Sequence, residues 1–188
     1  MAAHFPEHGL FEVQLEGGEP TIHAQFWDFV SSARENRRCS RLILSTNGTR
    51  IPAEAVARAS WLRRLGAPLT IKVSINHHLV EADRRHIDRL RGLADSIAEL
   101  DVTDDVKLVV NLRRRRTEDD QWVRDLIDSA SLSEHTNDFF LQRYGLAADN
   151  DELDVPYLAG THFTLINPDG EAWGTDLIGR SEAMGALP

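Results

Sequence analysis

Four short polar groups in this chain follow four apolar runs, and each group carries side chains able to hold a ligand. Gly17-Gly18-Glu19-Pro20 comes after Leu10 to Leu15, Ser45-Thr46-Asn47-Gly48 after Arg41 to Leu44, Ser74-Ile75-Asn76-His77-His78 after Leu69 to Val73, and Asn111-Leu112-Arg113 after Val106 to Val110. Adjacent glycines let backbone groups approach a bound molecule with no Cβ in the way, and Glu19 sets a carboxylate beside them. Ser74 and Asn76 share a face if the run is a strand, as do Asn111 and Arg113. A guanidinium at Arg113 is a planar, two-pronged donor suited to a carboxylate or phosphate. Gln142-Arg143-Tyr144 closes a fifth run and adds further polar groups at its end. This is binding chemistry, and no residue stands out as catalytic.

Other clusters read more plainly. His77 and His78 are consecutive, so their side chains diverge in most backbones, and no carboxylate completes a metal-ligand spacing. A surface or substrate-loop role is expected for His77, and no metal site is expected. Arg114 to Arg116 read as a solvated stretch opposite Glu118, Asp119 and Asp120, which leaves Arg113 alone as a ligand group. Cys39 is the single cysteine, so neither an internal disulfide nor a cysteine-only metal site can be built from this chain. Glu16 and Glu19 with a histidine could serve as acid and base in a hydrolase or lyase, but no nucleophile motif accompanies them.

The elements that must position these groups alternate. Strand-like runs over 10–15, 41–45, 69–75, 106–112 and 139–142 are separated by helical periodicity over 22–36, 52–65, 81–100 and 118–130. Pro52 stands where an early helical turn tolerates it and Gly66 where a helix ends. Strands spaced by helices of this length imply right-handed βαβ units and a mostly parallel sheet, with ligands at the carboxyl ends of the strands. Beyond Asn150 an acidic stretch leads to a hairpin over 163–174 around Asn167-Pro168-Asp169-Gly170. The expected organisation is 1–150 as the α/β unit and 151–188 as an extension bearing that hairpin.

Gln14-Leu15-Glu16-Gly17-Gly18-Glu19-Pro20 resembles the GGEP motif of radical SAM enzymes. Leu42 to Gly48 is similar to the strand that follows it in that family, with its Thr-Asn-Gly ending, and Lys72 to Asn76 resembles the next strand. The resemblance runs from about Leu10 to Tyr144. It implies a partial parallel β/α (TIM-like) barrel of the radical SAM type, with S-adenosylmethionine (SAM) held by Gly17, Gly18, Glu19, Ser45, Asn47, Ser74, Asn76 and Arg113, and with His77, Gln142 and Arg143 on the substrate side. The family's first strand and its CxxxCxxC loop should precede Leu10, where only nine residues stand, so the chain is expected to be truncated. Three thiolates hold the family's 4Fe-4S cluster, and Cys39 cannot replace them. The expectation is therefore a SAM-binding core without the reductive step. The competing reading is a non-enzymatic module that keeps the barrel for a peptide or protein partner. An open edge beside the first strand also invites self-association.

Composition narrows the setting. A formal charge of −9 disfavours a phosphate-backbone binder. No apolar stretch is long enough to span a bilayer, and the first residues lack a signal pattern. A cytoplasmic protein with no nucleic acid or membrane partner is expected.

Overall fold

The computed structural model describes residues 5–100, 105–115, 120–141, 165–166 and 172–173. Within them run β1 (Phe11–Leu15), α1 (Phe26–Glu35), β2 (Cys39–Thr46), α2 (Ala55–Leu65), β3 (Leu69–Ile75), α3 (His77–Ala82), α4 (His86–Ala98), β4 (Val106–Arg114), α5 (Gln121–Ser129) and β5 (Thr136–Phe140). The five strands form one parallel sheet in the order β1-β2-β3-β4-β5. A separate two-residue antiparallel ladder pairs β6 (Leu165–Ile166) with β7 (Ala172–Trp173). The chain divides into two compact units, Pro6–Phe139 and the remainder.

Strands laid down in chain order through same-handed crossovers place their helices on one face. Burial follows that rule. Leu42, Leu44, Leu69, Ile71, Val73, Ile75, Val110 and Leu112 are buried, and register puts Leu44 beside Ile71 and Val73 beside Val110 on a common face. Phe26, Val30 and Ala33 of α1, Leu62 and Leu65 of α2, Leu90 and Leu93 of α4 and Val123 and Ile127 of α5 complete the core. The opposite face carries Gln14, Ser45, Lys72, Ser74, Asn111 and Arg113, none of them fully buried. Among the described residues the sheet is open. The architecture shown is thus α/β with a parallel sheet.

Several boundaries differ from expectation, and the helix expected over 22–36 begins only at Phe26, after the 3-10 turn Pro20–Ile22. The helix expected over 81–100 is two helices, because Asp83 interrupts it. Asp83 adopts an extended backbone, its Oδ1 accepts the Arg85 amide at 3.0 Å, and its carbonyl accepts the His86 amide at 2.9 Å. Aspartate competes with the helix for backbone donors in this way, and it begins α4 as it ends α3. The last strand begins at Thr136, three residues earlier than the expected 139–142.

Two arginines, Arg34 half-buried and Arg58 buried, act as struts. Arg34 of α1 donates to the carbonyls of Leu65 (2.7 Å) and Gly66 (2.7 Å), which the end of α2 leaves without helical partners, and to that of Pro68 (3.1 Å), which also accepts the Leu42 amide. Arg58 of α2 donates to Ser96 of α4 at 2.9 Å and to the Pro52 carbonyl at 3.1 Å.

Candidate functional site

The expected ligand groups stand at the carboxyl ends of β1 to β4, and the structure sorts them into two kinds. At the end of β1, Gly17 (φ +103°) and Gly18 (φ +37°) adopt left-handed conformations, and nothing lies within 4 Å of where a Cβ would stand on either. Their backbone is therefore open to an approaching molecule, with glycine required by conformation and not by crowding. Glu19 then caps a 3-10 turn, Pro20–Ile22. Its carboxylate accepts from the Thr21 amide at 3.2 Å, the Thr21 hydroxyl, the Thr46 hydroxyl at 2.7 and 2.8 Å, and the Asn47 amide at 2.7 Å.

The end of β2 folds back on itself. Thr46 Oγ1 accepts the Gly48 amide at 3.0 Å, and Asn47 Oδ1 accepts from the Thr49 amide (3.0 Å) and hydroxyl (2.7 Å). Gly48 (φ +75°) leaves no room behind it: a Cβ there would lie 2.8 Å from Val73 Cγ1 and 3.0 Å from His86 Cε1. His86 is fully buried, and its Nε2 has no hydrogen-bond partner. Burial, then the Arg89 charge, pushes its pKa down to about 4 against an opposing pull from Asp83.

On the face opposite the helices, one polar chain crosses three strands. Gln14 of β1 donates to Ser45 of β2 at 3.3 Å and accepts from Lys72 of β3 at 3.2 Å, and Gln14 also bonds Glu16. Further along, register places Ser74 beside Asn111. Arg113, two residues on from Asn111 in the same strand, stacks its guanidinium over the Phe139 ring at 4.8 Å. Among the described residues Ser74, Asn111 and Arg113 have no hydrogen-bond or ion-pair partner. Burial lowers the Arg113 pKa, the cost of a cation held away from water with no anion beside it.

Asn76 caps α3, its Oδ1 accepting the Leu79 amide at 3.0 Å, so one of its polar atoms is committed to the scaffold. His77 is not at the surface as expected. It lies in the first turn of α3 with 2% of its side chain exposed, because α3 starts directly after β3 and turns the ring inward. Both ring nitrogens lack partners, and Nδ1 lies 3.7 Å from the buried Asp120 carboxylate. Burial, then His78, lowers the His77 pKa, and Asp120 opposes them. Burial raises the Asp120 pKa, but bonds from the Arg115 side chain and backbone outweigh it and hold the carboxyl low. Sequence reading treated Asp120 and Arg115 only as mutually neutralising surface charges; an acidic run gives no local sign of which member is buried. Gln142 and Arg143 lie outside the described residues.

Cys39 opens β2, and its Sγ faces the Arg41 carbonyl at 3.5 Å. Cys39 and Thr46 stand at opposite ends of this eight-residue strand, about 23 Å apart at the usual rise. The donor set for a 4Fe-4S cluster is not supplied by this chain, and the described residues contain no group of metal-binding side chains. No described helix is long and apolar enough to cross a membrane.

Comparison with known proteins gives partial similarities. The chain is 29% identical to the GTP 3',8-cyclase of Edwardsiella ictaluri over 90 residues, 47% of this chain and 27% of that protein. It is 31% identical to the enzyme of the same name from Pectobacterium atrosepticum over 97 residues, 50% of this chain and 27% of that protein. With that of Photorhabdus laumondii subsp. laumondii it shares 37% over 57 residues, 30% of this chain and 16% of that protein. The chain thus matches between 16% and 27% of the length of these curated relatives. No family model matches, and no solved structure does. The similarities to these cyclases support the radical SAM resemblance.

Proposed function

We propose that this chain is the SAM-binding part of a radical SAM-type β/α barrel. The observation that carries the proposal is the open Gly17-Gly18 backbone at the carboxyl end of a parallel strand, next to the Thr46-Asn47-Gly48 turn. In this reading the Gly17-Gly18 backbone takes the polar end of the methionine moiety. Ser45, Ser74 and the side-chain Nδ2 groups of Asn47 and Asn76 are within the same row of strand ends for the ribose, and Arg113 takes a carboxylate. SAM supplies the alkyl sulfonium that the family cleaves, but the cluster that drives cleavage does not fit this chain's residues, so no redox step is assigned to them. The Gln142-Arg143 pair is the substrate-side candidate, His77 being buried beside Asp120.

Isothermal calorimetry with SAM tests the reading. Weak binding is expected, with Gly17→Val and Arg113→Ala each lowering affinity by about tenfold or more, since a charge-assisted bond contributes about 1.5–3 kcal/mol. Affinity unchanged by both substitutions would remove the ligand site from these strand ends.

A further inference from the structure

Glu19 is the one acidic side chain of the Gly-Gly-Glu-Pro run, and the resemblance would make it a ligand contact. Its carboxylate is already committed. An ionised carboxylate offers about four acceptor positions, and four donors face Glu19: the Thr21 amide and hydroxyl, the Thr46 hydroxyl and the Asn47 amide. Two donors belong to the turn leaving β1 and two to the turn leaving β2. Thr46, only 4% exposed, passes the linkage on by accepting the Gly48 amide. A ligand ammonium would have to displace one of these bonds in a half-buried place, where a stranded donor is costly.

We infer that Glu19 is a positioning residue that fastens the Gly17-Gly18 turn to the Thr46-Asn47 turn, and that ligand contact at this corner is made by the glycine backbone and not by the Glu19 carboxylate. This rests on the ligand reading above, and its test separates the two. In the unliganded chain, Glu19→Gln and Thr46→Val should each lower stability in urea, and the double variant should lose about as much as either alone, because both break one linkage. Thr46→Ser, which keeps the hydroxyl, should restore it. The Asn47 amide should lose its low-field proton resonance in Glu19→Gln.

The ligand arm compares SAM with an analogue lacking the amino group. A positioning role predicts that Glu19→Gln and Thr46→Val weaken both ligands by the same factor, about tenfold or less. A direct contact predicts that Glu19→Gln weakens SAM alone, abolishing its advantage over the analogue, while Thr46→Val leaves affinity intact. That second pattern, or additive stability losses with an unmoved Asn47 resonance, overturns the inference. If the unsubstituted chain binds neither ligand, the proposed function and the ligand half of this inference fall together. The stability coupling and the resonance still decide whether Glu19 fastens the two turns.

Discussion

The two ends of the candidate site solve different problems with similar residues. At the β1–β2 corner nearly every polar side chain is spent on the protein itself: Glu19 on Thr21, Thr46 and Asn47, and Asn47 on Thr49. At the β3–β4 end Ser74, Asn111 and Arg113 hold their polar groups unspent among the described residues, and only the Phe139 ring supports Arg113. A corner made of side-chain bonds presents backbone, while an end made of unpaired side chains presents those side chains. Substitutions should therefore hurt folding at the first and binding at the second.

The largest effect expected is at Gly48. Gly48→Ala combines a left-handed backbone with a Cβ driven into Val73 and His86, and it should cost about 3 kcal/mol in chemical denaturation. Gly17→Ala meets no atom and should cost only the conformational term, about 1–2 kcal/mol. Equal losses at the two glycines would show that the β1–β2 corner is not packed as described.

Acid should weaken the same corner through His86. Its folded pKa of about 4 lies below the unfolded value of about 6.5, so the unfolded chain binds the extra proton between these values. Stability is full above about pH 6.5 and falls as the pH drops toward about 4, by about 3 kcal/mol at most. His86→Gln should flatten that part of the stability–pH curve. A wild-type curve that is level from pH 7 to pH 4 would contradict the buried neutral ring.

The β3–β4 end should behave oppositely. Arg113→Ala is expected to change stability by no more than about 0.5 kcal/mol, while Arg113→Lys should fail to restore SAM affinity, because a point charge does not replace a planar fork. The smallest expected effect is Ser74→Ala, a few-fold loss of affinity with no measurable change in the urea midpoint. A large stability loss at either position would mean that these side chains are part of the scaffold after all.

The alternation of strands and helices was legible because period and turn residues are local. So were Gly17-Gly18 and the polar strand ends. What sequence could not show is where a polar group spends its bonds. Arg34 and Arg58 carry no local sign of a partner, yet tertiary structure turns them onto carbonyls outside their own helices. His77 sits in an exposed-looking polar run and is buried because α3 starts without a loop. Asp83 fits a helical period, but its side chain bonds the chain two residues on and splits the helix. Glu19 could be singled out by its place in the Gly-Gly-Glu-Pro run, while its partners at Thr21, Thr46 and Asn47 come from two turns that only the β1–β2 pairing brings together.

The sheet's strand order equals its chain order, β1 to β5, and this bears on how the protein is made. On the ribosome each strand emerges when its neighbour is already present, and no strand waits for a distant partner to be synthesised. Every pairing closes a loop of one crossover, so the entropy of closure is met in small equal steps. The β1–β2 corner, with Glu19 and its donors complete by Asn47, is available before Arg113 and Phe139 have been translated.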